Sequence, residues 1–157
     1  MLRLLSLTLA LILAVPAYAD TIRLGDRYYE ISLPSNPRGA PLLVMLHGGG
    51  GNPGRTEAVT GLTRVALRQG YAVAYPAGTG RKLLTWNAEY CCAAAARNGV
   101  DDDGFLARVI KDAQDRFDLG TRVYVTGMSN GSMMAQTFAA RNPGLVRAVA
   151  GVAGSMD

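Results

Sequence analysis

Hydrophobic and polar positions fall into short segments separated by glycine and proline. Over 21–24 and 28–33 apolar and polar residues alternate around Gly25-Asp26, the pattern of two strands joined by a tight turn. A polar, proline-bearing connection over 34–41 follows. Leu42–Leu46 is then apolar throughout, as in a strand buried on both faces of a parallel sheet. It runs directly into His47-Gly48-Gly49-Gly50-Gly51-Asn52-Pro53-Gly54, whose glycine content predicts a loop. Helical spacing of Val59, Leu62, Val65, Ala66 and Leu67 predicts one helix over 56–68, stopped by Gly70. Another apolar strand is expected over 71–75, ended by Pro76.

No period holds over 77–100, so this stretch, which carries Trp86 and the pair Cys91-Cys92, is expected to be a long loop. The strongest helical signal covers 103–117, where Phe105, Leu106, Val109, Ile110, Ala113 and Phe117 recur on one face behind an acidic start. A strand over 122–126, a helix over 132–141 and a last strand over 146–152 complete the series. Strand and helix alternate from Leu42 onward, which predicts an α/β fold: a mostly parallel sheet with helices on both faces.

The first residues read differently. Arg3 precedes an apolar run over 4–15, and Ala17-Tyr18-Ala19 has small residues where a signal peptidase reads. This order predicts an export signal over 1–19, cleaved after Ala19, and a domain over 20–157. The run is too short for the ~20 residues a membrane-spanning helix needs. The mature chain is therefore expected outside the cytoplasm, extracellular or periplasmic, with no membrane partner. The formal net charge is +4 and its basic residues are scattered, without the interleaved aromatics of a nucleic-acid surface. Cys91 and Cys92 are the only cysteines. They could pair with each other, pair with a cysteine elsewhere, or stay reduced; with no second cysteine pair or histidine cluster, no metal site is expected.

Gly127-Met128-Ser129-Asn130-Gly131 fits Gly-x-Ser-x-Gly and lies between a predicted buried strand and a predicted helix. That context is the nucleophile elbow of the α/β-hydrolase fold, with Ser129 as nucleophile. Side chains at the two glycine positions would collide with the strand and helix that the turn joins. His47-Gly48-Gly49-Gly50, after the Leu42–Leu46 strand, matches the glycine-rich oxyanion loop of esterases. The backbone N–H of Gly48 or Gly49, together with that of Asn130, is expected to form the oxyanion hole. A phosphate-binding loop fits less well, because the Lys-Ser/Thr ending is absent.

His47 is the only histidine. The chain order in this fold is serine, acid, histidine, so His47 is expected to order its loop rather than act as the base. Asp101-Asp102-Asp103 reads as a helix cap, a calcium or catalytic role needing further converging ligands. Trp86 suits either a cleft wall or an anchor for the long loop.

Taken together, these stretches resemble secreted polyhydroxybutyrate-depolymerase-like and feruloyl-esterase-like serine esterases. The similarity is carried from Leu42-Leu43-Val44-Met45-Leu46-His47-Gly48 to Val146-Arg147-Ala148-Val149. Between these lie Trp86-Asn87, Cys91-Cys92, Val100-Asp101-Asp102-Asp103-Gly104-Phe105-Leu106, the serine motif and Met133-Met134; Asp103 stands where an apolar residue is usual. The resemblance implies ester hydrolysis without a cofactor, on polyester or on feruloylated or acetylated polysaccharide. It also implies that this chain matches the N-terminal half of a member, C-terminally truncated, with the triad aspartate and histidine on later strands. On that expectation the 157 residues alone would be an inactive fragment, or a non-catalytic polymer-binding remnant.

Overall fold

The computed structural model describes residues 19–155. Apart from Ala19, the expected export segment lies outside the described residues.

β1 (Asp20–Leu24) and β2 (Arg27–Ser32) form the expected hairpin, with Gly25 in the left-handed region at φ 67°. β3 (Leu42–Leu46), β4 (Ala72–Pro76), β5 (Val123–Met128) and β6 (Ala148–Val152) continue the sheet in the order β1-β2-β4-β3-β5-β6. The β1–β2 and β2–β4 pairings are antiparallel, and β4–β3, β3–β5 and β5–β6 are parallel. The sheet is thus mixed and mostly parallel, as the strand–helix alternation predicts.

Side-chain alternation along the central strands separates two cores. Leu42, Val44 and Leu46 of β3 and Ala72 and Ala74 of β4 point to one face. There they meet Phe105, Leu106, Val109 and Ile110 of α4 (Asp102–Phe117) and Met134, Ala135 and Phe138 of α5 (Asn130–Arg141). Met45, Val73 and Tyr75 point to the other face, against Ala66 and Leu62. Each large apolar side chain removed from water in this way stabilises the fold by roughly 1.5–3 kcal/mol. The buried stripe of α4 is the one its periodicity predicts.

The segment over 56–68 departs from expectation. It is two helices, α1 (Pro53–Thr60) and α2 (Leu62–Arg68), separated by Gly61 in the left-handed region at φ 59°. The break resets the helical phase. Thr56, Thr63 and Ala66 therefore face inward, while Val59 and Val65 stand largely in solvent. α1 also begins inside the predicted loop, at Pro53, because the Asn52 side chain accepts the Arg55 N–H at 2.9 Å and Pro53 needs no donor partner there. The stretch over 77–100 is not wholly irregular either: Thr79 bridges Thr85, and Ala93–Arg97 is a short helix, α3.

Of the three states open to the cysteines, the structure shows Cys91 bonded to Cys92. Among the described residues, β6 pairs only with β5, and all five of its residues are exposed. No helix of the described residues is long and apolar enough to cross a membrane.

Candidate active site

β5 ends at Met128 and α5 begins at Asn130, leaving Ser129 alone in the turn. Its backbone has φ 53° and ψ −123°, a region that side-chain-bearing residues rarely occupy and that costs about 1–3 kcal/mol. The neighbours enforce it. A Cβ on Gly127 would run into the backbone of Gly131, and a Cβ on Gly131 would lie 2.5 Å from the Leu46 carbonyl oxygen and closer still to that of His47. Both flanking glycines are therefore required by backbone contact, and α5 can sit tightly on the end of β3. The Ser129 N–H donates to the Val152 carbonyl at 2.8 Å, and its carbonyl accepts the N–H groups of Ser132 and Met133. Ser129 itself is exposed, and its hydroxyl has no hydrogen-bond partner among the described residues.

The glycine-rich loop lies against this turn. A Cβ on Gly48 would stand 3.6 Å from Ser129 Cβ, and one on Gly49 would stand 3.7 Å from Asn130 Cβ. The N–H groups of Gly50 and Gly51 are used within the fold, donating to the Leu84 and Gly48 carbonyls at 2.8 and 2.9 Å. Those of Gly48, Gly49 and Asn130 have no acceptor among the described residues. The structure thus brings together the four residues singled out in the sequence, with three donors free beside one exposed hydroxyl.

His47 is buried and fully engaged. Its Nε2 accepts the Gly78 N–H at 2.9 Å, so the ring proton sits on Nδ1, which donates to the Gly48 carbonyl at 2.8 Å. Burial pushes its pKa down from the ordinary imidazole value, opposed by the Gly48 carbonyl. The ring is neutral, both nitrogens are occupied, and it holds its loop in shape as the chain order predicts.

Trp86 and the acidic run resolve in ways the sequence left open. Trp86 is fully buried. Its indole N–H donates to the His47 carbonyl at 2.9 Å, and its backbone is gripped twice by the Asn130 side chain. Asn130 Oδ1 accepts the Trp86 N–H at 2.8 Å, and Nδ2 donates to the Trp86 carbonyl at 3.1 Å. Trp86 is an anchor and not a cleft wall. Asp101 is the cap, accepting the Gly104 N–H at 2.8 Å. Asp102 is not: it is buried, accepts the Asn87 N–H at 2.7 Å and pairs with Arg27 at 2.7 Å. Burial raises its pKa, opposed by the Asn87 N–H and by Arg27. Sequence reasoning missed Arg27 and the side-chain task of Asn130, because nothing local marks either.

Two cavities flank the turn. One of about 340 Å³ is bounded by the glycine-rich loop, Arg55 and Met128; the other, about 230 Å³, by Tyr90, Cys91, Met133, Thr137 and Arg141. No group of three or more histidine, cysteine, aspartate or glutamate side chains gathers as a metal site among the described residues.

The chain is 36% identical over 126 residues to the protein named Putative esterase NocK of Nocardia uniformis subsp. tsuyamanensis, covering 78% of this chain and 35% of that one. It is 32% identical over 125 residues to an acetylxylan esterase of Coprinopsis cinerea, covering 78% and 33%. The chain therefore spans about a third of the length of these curated relatives, less than the half implied by the resemblance. Among solved structures, the acetyl xylan esterase from Aspergillus awamori superposes with a TM-score of 0.69 at 21% identity, over 86% of this chain and 52% of that one. The architecture is the α/β-hydrolase fold. The profile described as Esterase PHB depolymerase matches residues 29–156, and the chain belongs to that family of esterases.

Proposed function

We propose that these residues supply the nucleophile and the oxyanion hole of a serine carboxylic-ester hydrolase that works through an acyl-enzyme. The observation that carries this reading is the exposed Ser129 hydroxyl, set in a strained turn beside the unpaired N–H groups of Gly48, Gly49 and Asn130. A base takes the Ser129 proton as Oγ attacks the ester carbonyl carbon, and the N–H groups hold the negative oxygen. The C–O bond to the alcohol breaks, the alcohol leaves with the proton, and water then releases the acid by the same route. Since both nitrogens of His47 are occupied, the base is a histidine outside these 157 residues, on the length that the relatives have beyond this match.

The Esterase PHB depolymerase family and the acetylxylan esterase relative support hydroxyalkanoate polyester or acetylated polysaccharide as substrate, and the sequence resemblance adds feruloylated polysaccharide. The expected leader makes the enzyme an exported one. In the full-length polypeptide that carries the base, a fluorophosphonate probe is expected to label the wild-type protein at Ser129 and to leave a Ser129→Ala variant unlabelled. Equal labelling of the two would refute the assignment.

A further inference from the structure

Behind the glycine-rich loop and the serine turn lies a charge pair that the reaction above does not use. The Arg27 guanidinium and the Asp102 carboxylate meet at 2.7 Å, their side chains 12% and 0% exposed. Arg27 Cζ lies over the Phe105 ring, 3.6 Å from its centroid, and 5.6 Å from the centroid of the Trp86 ring. A buried pair of this kind is weak support for stability, since well-packed apolar residues of similar size often do as well or better. What the charge adds, with Nη2 shared between Asp102 and the Ala77 carbonyl, is direction.

The pair aims at both shoulders of one loop. Arg27 Nη2 donates to the Ala77 carbonyl at 2.9 Å, and Asp102 Oδ2 accepts the Asn87 N–H at 2.7 Å. Each shoulder adjoins a contact to the site. Gly78, next to Ala77, donates to His47 Nε2 at the foot of the glycine-rich loop. Trp86, next to Asn87, holds the His47 carbonyl through its indole N–H and is clamped by the Asn130 side chain. His47 precedes Gly48, and Asn130 carries the other free N–H.

We infer that Arg27 and Asp102 are positioning residues for the oxyanion hole: one buried ion pair sets, through Ala77-Gly78 and Trp86-Asn87, the spacing between the Gly48-Gly49 and Asn130 donors. The inference rests on the reading of Ser129 as an ester-hydrolysing nucleophile. It predicts that loss of the pair weakens transition-state stabilisation while ground-state substrate binding stays the same.

The test uses the full-length polypeptide and the double variant Arg27→Met/Asp102→Leu, which removes both charges together and so leaves no uncompensated buried ion. Trp86 is the only tryptophan, so its indole N–H gives one unambiguous exchange signal. Expected are faster hydrogen exchange at that indole and a kcat per fluorophosphonate-titrated serine lower by about tenfold or more, with KM for p-nitrophenyl acetate within about twofold. An unchanged kcat per titrated serine overturns the inference, as does an indole that exchanges at the wild-type rate. If the double variant does not fold, Arg27→Lys is measured in its place. It keeps the charge but loses the guanidinium Nη2 that reaches both Ala77 and Asp102, and the same outcomes decide. A wild-type protein that is never labelled at Ser129 sinks the esterase reading instead, and the indole exchange separates that failure from this one.

Discussion

Gly131→Ala sets two effects of known size against each other. Alanine is a better helix former than glycine by about 0.8–1 kcal/mol in a helix interior, and less so at the second residue of α5. Gly131 is not in the left-handed region, so its backbone would accept alanine without strain. Against this, the new methyl would lie 2.5 Å from the Leu46 carbonyl oxygen and 2.8 Å from its carbonyl carbon. Ordinary contact between such atoms begins at about 3.5 Å, so a separation of roughly 1 Å is needed. The atoms in the way are backbone, and no rotamer change relieves them. Over-packing of this kind costs about 1–3 kcal/mol, and with no flexible neighbour the upper part of that range applies. The clash wins, and the variant should be less stable by about 1–2 kcal/mol. The same shift would carry the Asn130 N–H away from Ser129, and about 1 Å of misplacement can cost on the order of 10²-fold in rate. The assays are the urea midpoint and the rate of fluorophosphonate labelling. Gly144→Ala serves as control, because a Cβ there meets nothing within 4 Å. A Gly131→Ala midpoint equal to or above wild type would refute the steric account of the motif.

Two further outcomes follow from the site. His47 is buried and neutral with its pKa lowered, so its contribution to stability is complete above the unfolded value of about 6.5 and declines as pH falls from there towards the folded value. The unfolding free energy from urea titration should therefore fall between pH 7.5 and 5.5, by up to about 1.4 kcal/mol per pH unit for one proton, and that component should vanish in His47→Asn; identical profiles would contradict it. Asn130→Ala keeps the backbone donor but orphans the buried N–H and carbonyl of Trp86, at a cost of about 1–3 kcal/mol. Its unfolding midpoint should fall and its Trp86 emission shift to the red, whereas an unchanged spectrum would show that the clamp does not hold Trp86.

What the sequence made legible is what depends on periodicity or on backbone crowding. Leu42, Val44 and Leu46 against Leu43 and Met45 separate two cores by alternation alone. The stripe on α4 and the glycines around Ser129 were equally readable, since each is a local pattern with a local cause. The break at Gly61 was hidden because the apolar residues on its two sides happen to continue one helical spacing. Only the left-handed glycine shows that the phase is reset, and it leaves Val59 and Val65 in solvent. Asp101, Asp102 and Asp103 are chemically identical in sequence. One caps a helix, one is buried against Arg27 and one accepts from Asn142, and the difference lies in partners remote along the chain. The stretch over 77–100 has no period to read, because tertiary hydrogen bonds to His47, Asp102 and Asn130 fix its shape.

The strongest structural support for a reactive centre lies in which polar groups the fold satisfies and which it leaves open. Around the glycine-rich loop several neighbouring donors have acceptors (Gly50 and Gly51 through carbonyls, the His47 ring through Gly48, the Trp86 indole through the His47 carbonyl), while the buried Thr79 and Thr85 hydroxyls and Arg27 Nε have none among the described residues. The N–H groups of Gly48, Gly49 and Asn130 are therefore set apart by their position beside Ser129, and not by being the only donors left open. Leaving these three unpaired beside a serine held at positive φ adds an unmet hydrogen-bonding capacity to a strained backbone at one point on the surface. Local strain counts against stability, and an unpaired donor does so to the extent that it is buried, as Asn130 is and the exposed Gly49 is not. Their coincidence is what a site must look like if its missing acceptor is an oxygen that becomes negative only during reaction.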